Sequence, residues 1–280
     1  MKIYAFADEA SPIIDEQIKA MKENRLDGLE IRNVDGVNIA EISDSKAKEV
    51  RKKLDNACLR VWTIGSPIGK IDIEKDDFAL HTEKFKRTLE LADILGAENI
   101  RLFSFFTPSE NRDSYKDKVI ERLGTFCEIA KGSSITLCHE NEKDIYGETP
   151  ERELELLSHF GGKLKAVLDP GNFAFCRLDA AKGYPMLKDY IEYFHIKDAD
   201  EEGTIVPPGC GVAHLAETLA AVNADRTGKV ILTIEPHLMD FTGLASLAAE
   251  TLKHKYTFET PFDAFRTAAE SVMRMAESLE

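Results

Sequence analysis

The stretch ITLCHENEKDIYG, residues 135–147, decides how this sequence folds. It opens as a buried strand, with Ile135, Leu137 and Cys138 among its apolar residues, and runs into His139, Glu140, Asn141 and Glu142 with no turn residue between. A strand fading into a surface loop usually passes through Gly, Pro or Ser first, because buried charge is costly unless it is paired or metal-bound. The same switch from apolar to polar recurs in AVLDPG (166–171), YFHIKD (193–198) and LTIEPH (232–237).

Working outward, eight short apolar runs punctuate the chain: KIYAFA (2–7), GLEIR (28–32), LRVWTIG (59–65), NIRLFSFF (99–106), SITLCHE (134–140), LKAVLD (164–169), IEYFHIK (191–197) and KVILTIE (229–235). Helical signals separate them. Pro12 follows Ser11 ahead of IIDEQIKAMKEN, Asp44 to Asn56 carries apolar residues at Ala47, Val50 and Leu54, and Phe85 to Leu95 stops at Gly96. Lys116 to Ala130, Pro150 to Phe160 and Phe262 to Met275 show the same spacing. Strands alternating with helices imply parallel pairing, and runs apolar on both faces, such as VWTI and VILTI, fit a sheet covered on both sides. Eight such units in 280 residues match the size of a (β/α)8 TIM barrel, expected here as a single domain over residues 1–280. A doubly wound open sheet is the alternative. Against it, DEASP follows the first strand where a Gly-rich phosphate loop would stand, and no G-x-x-x-x-G-K-[ST] occurs. The stretch 239–261 is expected to be an irregular insertion, either a lid or a contact in a homo-oligomer.

The formal charge of −14 disfavours nucleic acid and anionic membranes as partners. Asp8 and Glu9 fall where a signal peptide needs an apolar core, so a cytoplasmic protein is expected. Five scattered cysteines without a C-x-x-C pair suggest core thiols.

In a parallel barrel every strand's C-terminal end reaches the same face. Strand five then delivers Glu140, strand six Asp169, strand seven His195 and strand eight Glu235. A single Glu or His at a strand end is more often salt-bridged or solvated; four in phase on successive strands suggest a shared centre. Three carboxylates and an imidazole suit a divalent ion, Mn2+ foremost, with Mg2+, Co2+ or Zn2+ as alternatives. Such an ion also stabilises carboxylates that would otherwise repel one another and take up protons.

At HEN (139–141), LDPGN (168–172), FHIKD (194–198) and IEP (234–236), together with the whole-chain β/α rhythm, the sequence resembles the xylose-isomerase-like TIM-barrel family of sugar phosphate isomerases and epimerases. The resemblance implies metal ligands at Glu140, Asp169, His195 and Glu235. It further implies a sugar, sugar phosphate or cyclic polyol ketone as substrate, with Glu140 and Glu235 moving a proton on opposite faces of the carbon beside its carbonyl through an enediolate. Ketose 3-epimerases of the family carry a histidine three residues after the metal Asp; Asn172 stands there in this chain and is a candidate substrate contact.

Lys197, two residues after His195, is expected to point the same way, toward substrate or into a salt bridge with Asp198 or Glu142. Glu30 is read as a hydroxyl contact or an ion pair with Arg32. Trp62 and Phe6 are read as apolar faces for a ring or as core, GSPIGK (65–70) as a phosphate loop or a plain turn. His139 and His237 are possible supports of neighbouring ligands, and Asp8 and Glu9 rim residues. Three rivals remain: an inosose-dehydratase-like lyase using the same centre, an apurinic nuclease, and a non-catalytic sugar- or metal-binding barrel.

Overall fold

The structure is a computed structural model that describes residues 1–225, 228–241, 253 and 255–279. Eight strands carry it: β1 Lys2–Ala5, β2 Gly28–Ile31, β3 Arg60–Gly65, β4 Asn99–Leu102, β5 Thr136–Glu140, β6 Lys165–Leu168, β7 Ile191–Ile196 and β8 Ile231–Ile234. Each pairs in parallel with its sequence neighbours, and β8 closes on β1 with Lys2 opposite Ile231 and Ala5 opposite Ile234. The expected TIM barrel is therefore what the chain forms.

Nine helices run in chain order among the described residues: α1 Ile14–Glu23, α2 Asp44–Asn56, α3 Phe78–Leu95, α4 Lys116–Ala130, α5 Pro150–Phe160, α6 Pro170–Phe175, α7 Gly183–Leu187, α8 Leu215–Asp225 and α9 Pro261–Glu277. Local sequence fixes their ends. Thr149 caps Arg152 N–H ahead of Pro150, and Gly161 closes α5 at φ 56°; Thr260 and Pro261 open α9 in the same way. α3 begins at Phe78 rather than Phe85, because Asp77 caps the amides of Ala79 and Leu80. α1 begins at Ile14, so Pro12 lies before the helix rather than in its first turn.

Most apolar side chains fill the layer between strands and helices, while Tyr4, Trp62, Cys138, Val167, Tyr193 and Ile231 form a separate buried cluster from the strands themselves. β4 stops at Leu102, short of the FSFF run. There Phe103, Phe105 and Phe106 donate their amides to Ile68, Gly69 and Ile71, so the chain leaves the barrel to pair with the loop after β3. Gly69 is required at this contact: its φ is 89°, and a Cβ would fall 1.9 Å from Phe103 O. GSPIGK is thus a turn packed on its neighbour. No helix among the described residues is long and apolar enough to cross a membrane. Most of the 239–261 insertion, residues 242–252 and 254, lies outside the described residues.

Candidate active site

Four strands bring the polar residues together. Glu140 ends β5, Asp169 follows β6 and caps α6 by accepting from Asn172 N–H at 3.0 Å, His195 lies near the end of β7, and Glu235 follows β8. One donor atom from each lies within 4.8 Å of the others, and all four residues are buried. This is the convergence that the strand-end pattern implies.

His195 has two distinct sides. Its Nδ1 faces the carboxylates, 3.1 Å from Glu140 Oε1 and 3.7 Å from Glu235 Oε2, while Nε2 lies 2.9 Å from Glu30 Oε2. Glu30 does not pair with Arg32; its other oxygen accepts from Tyr193 Oη at 3.0 Å. β2 shifts register against β3 between Leu29 and Glu30, and Gly28 permits the close approach, since a Cβ there would meet Arg60 O at 2.1 Å.

Lys197 does lie beside His195, but its partners are neither Asp198 nor Glu142. Its Nζ donates to Glu235 Oε2 at 2.9 Å and stands 3.0 Å from Asp169 Oδ2. Glu142 is held by Lys70 at 2.9 Å, and Asp198 accepts from the amides of Ala199, Gly209, Gly211 and Ala213, fixing the loop after β7. Asn172 Nδ2 donates to Glu140 Oε1 at 3.1 Å and to Asn141 O at 2.8 Å. Trp62 is placed apart from these groups, in the strand cluster against Tyr4 and Tyr193. His139 faces Glu153 on α5, its Nδ1 3.2 Å from Oε1, and so supports β5 from the helix side. His237, at φ 48°, has Nε2 3.7 Å from Glu235 Oε1 and donates its backbone amide to Glu9 Oε2.

Two arginines complete the site, and neither is singled out by the strand-end pattern. Arg101 on β4 donates Nη1 to Glu140 Oε2 at 2.8 Å. Arg32 donates Nη1 to Glu235 Oε1 at 3.2 Å, two bonds to Asp8 and one to Glu9, with its guanidinium carbon 4.3 Å from the Phe6 ring centre and 4.5 Å from that of Phe241. An arginine inside a barrel-strand run is as anomalous as the carboxylates, and that was the available signal for Arg101.

Electrostatics separate the acids. Burial pushes Asp169 up to about 7, only partly offset by Lys197. Burial also raises Glu140, but His195 and Arg101 outweigh it and hold this carboxyl well below its ordinary range. For Glu235 burial is outweighed chiefly by Lys197, with His195 and Arg32 adding to it, again downward. His195 rises well above its ordinary value, because Glu30 and Glu140 overcome the penalty of burial. The residues fit a divalent cation: the donor set is oxygen-rich with one imidazole nitrogen, and Asp169 Oδ2 is a buried oxygen that makes no hydrogen bond despite its proximity to Lys197. The ligand atoms available are Glu140 Oε1, an Asp169 oxygen, His195 Nδ1 and Glu235 Oε2.

A closed parallel barrel with a Glu–Asp–His–Glu set on successive strands defines a class, and sequence comparison agrees with it. Residues 18–255 match the family model described as xylose isomerase-like TIM barrel, and the chain belongs to that family. No curated protein matches the sequence. Among solved structures it is similar to the probable 3-DHS dehydratase AsbF of Bacillus anthracis, at TM-score 0.74 and 16% identity, covering 98% of this chain and 99% of that one. It is also similar to the IOLI protein with a binding zinc atom, at TM-score 0.74, 17% identity and coverage of 100% and 99%. The 3-keto-D-glucoside 4-epimerase YcjR of E. coli follows at TM-score 0.70, 16% identity and 99% of each chain.

Proposed function

We propose that this protein is a divalent-metal-dependent isomerase or epimerase acting on a sugar, sugar phosphate or cyclic polyol ketone. The observation that carries the reading is the gathering of Glu140, Asp169, His195 and Glu235 from four consecutive strands, with one donor atom of each within 4.8 Å. When bound there, the ion supplies Lewis acidity to the substrate's carbonyl and neighbouring hydroxyl oxygens. Glu140 and Glu235 enter from β5 and β8, so one removes the proton beside the carbonyl and the other, once it has itself been protonated, delivers a proton to the opposite face. Arg101 and Arg32 keep the two carboxylates ionised and fix their outer oxygens. Lys197 and Asn172 contact substrate oxygens, Glu30 holds His195, and Trp62 forms apolar wall beyond Tyr193. The solved structures of an epimerase and a zinc-holding protein with this fold support the reading.

A lyase is the second reading, favoured by one observation: Lys197 places an ammonium inside the site, 2.9 Å from Glu235, where it can hand a proton to a departing hydroxyl. The two share the first proton removal and differ in product mass. The test is a screen of ketoses, their phosphates and inososes with Mn2+ in deuterated water. Deuterium uptake at conserved mass supports epimerisation, loss of one water supports the lyase, and no exchange with any substrate class refutes both in favour of a binding protein.

A further inference from the structure

Glu30 is a fully buried carboxylate on β2 that spends both oxygens on one strand across the barrel. Oε1 accepts from Tyr193 Oη at 3.0 Å and Oε2 lies 2.9 Å from His195 Nε2. Those partners are two residues apart on β7, with side chains on the same side of the strand. Their rings also pack edge to face, 5.5 Å between centroids, while Phe6 closes the other flank of His195 at 5.3 Å. The imidazole therefore has one hydrogen-bond partner on its Nε2 side, and that partner is itself tethered. A carboxylate here holds Nε2 as a donor, so Nδ1 is the nitrogen that gives up its proton when a cation binds. Nδ1 is the atom that faces Glu140 and Glu235.

Building on the metal-dependent reading above, we infer that Glu30 is a positioning residue which fixes the tautomer and ring orientation of His195, so that metal affinity depends on a side chain outside the ligand set. Partners of this kind are worth about 10–100-fold in metal affinity. Tyr193 extends the arrangement by donating its hydroxyl to the other carboxylate oxygen at 3.0 Å.

The test uses Co2+ and Mn2+ as probes and needs no substrate. Metal affinity is measured by titration calorimetry, and the visible spectrum of the Co2+ form is recorded for wild type, Glu30→Gln, Glu30→Ala and Tyr193→Phe. Circular dichroism of the chelated forms establishes that each variant is folded. Glu30→Ala is expected to bind about 10–100-fold more weakly with an altered Co2+ spectrum. Glu30→Gln retains an acceptor for Nε2–H and should recover part of the loss. Folded Glu30→Ala with wild-type affinity and spectrum overturns the inference. If that variant does not fold, Glu30→Gln decides: weaker binding with a shifted spectrum supports the role, and unchanged values refute it. Wild-type protein that takes up neither ion overturns the metal reading itself, a failure distinct from that of Glu30.

Discussion

Replacing Arg32 with Met tests the charge balance at the barrel mouth. The guanidinium is 1% exposed, donates two bonds to Asp8, one to Glu9 and one to Glu235, and lies between two aromatic rings. Met keeps much of the stem and its packing, so the loss is chiefly electrostatic. Three buried carboxyls then share no arginine, and breaking a buried pair by removing one partner costs about 3–5 kcal/mol. Part of that cost is met by proton uptake: burial already lifts Glu9 to about 8 with Arg32 in place. The comparison is Arg60→Met on the surface, whose Nη2 lies 2.7 Å from Glu98 Oε1 with side chains 65% and 48% exposed. Distance alone predicts equal losses; burial predicts ~1 kcal/mol or less at Arg60. Urea unfolding at pH 7.5, read as a midpoint shift at unchanged slope, measures both. Adding Asp8→Asn to Arg32→Met removes one uncompensated charge and should restore roughly 1 kcal/mol or more. Equal losses at Arg32 and Arg60, or a double variant no more stable than Arg32→Met, would refute the account.

Chelation of metal-loaded protein should lower the melting temperature, since ligand at 100 times its dissociation constant stabilises by about 2.7 kcal/mol; identical melting curves before and after chelation count against a coupled site. Glu140→Gln and Glu235→Gln, each checked for metal content, should lose epimerisation while one retains hydrogen exchange on a single face; near-wild-type turnover in either would remove that residue from the chemistry. His81 gives a pH test outside the Glu140–Asp169–His195–Glu235 cluster. Burial pushes it down from 6.5 to about 4, and its Nε2 accepts Gly69 N–H at 2.7 Å. Because the folded pKa is depressed, the unfolded chain binds the extra proton, so the stabilisation is present above about 6.5 and is lost as pH falls toward 4. The 2.5-unit difference bounds it at about 3 kcal/mol. An NMR titration placing His81 near 6.5 would contradict this.

The barrel was legible because strand and helix periods alternate eight times, and four strand ends announced themselves as charge attached to apolar runs. What stayed hidden depends on height and register rather than on side. Alternation along β3 gives the face of the sheet on which Trp62 lies but not its layer, and the structure places it with Tyr4 and Tyr193 rather than with the carboxylates. Glu30 meets His195 because the barrel brings together strands 165 positions apart in sequence. For Lys197 the sequence offers a substrate contact or a salt bridge with Asp198 or Glu142. Asp198 is instead consumed by four backbone amides, and Glu142 by Lys70. Neither competition can be read from local pattern.

The two arginines also constrain the chemistry. His195 with Arg101 on Glu140, and Lys197 with His195 and Arg32 on Glu235, draw both carboxyls below their ordinary range, against the push of burial. A carboxylate stabilised in this way is a weak base, and the proton-transfer driving force falls with it. Such a base removes a proton only from a carbon whose resulting charge is delocalised, as beside a carbonyl. An unactivated C–H is too weak an acid for this pair, whereas the first step of an epimerase or of a dehydratase is within its reach. The same ionic state prevents either residue from serving as an efficient proton donor before it has first accepted a proton. Reprotonation by one glutamate after abstraction by the other therefore requires the second to be charged with a proton in advance. Lys197, in contact with Glu235 at 2.9 Å, is the cation that chiefly holds that carboxyl ionised. Under the metal-dependent reading proposed above, the pairing of strong counter-cations with weak bases goes with carbonyl-activated substrates, whichever of the two outcomes follows the first proton transfer.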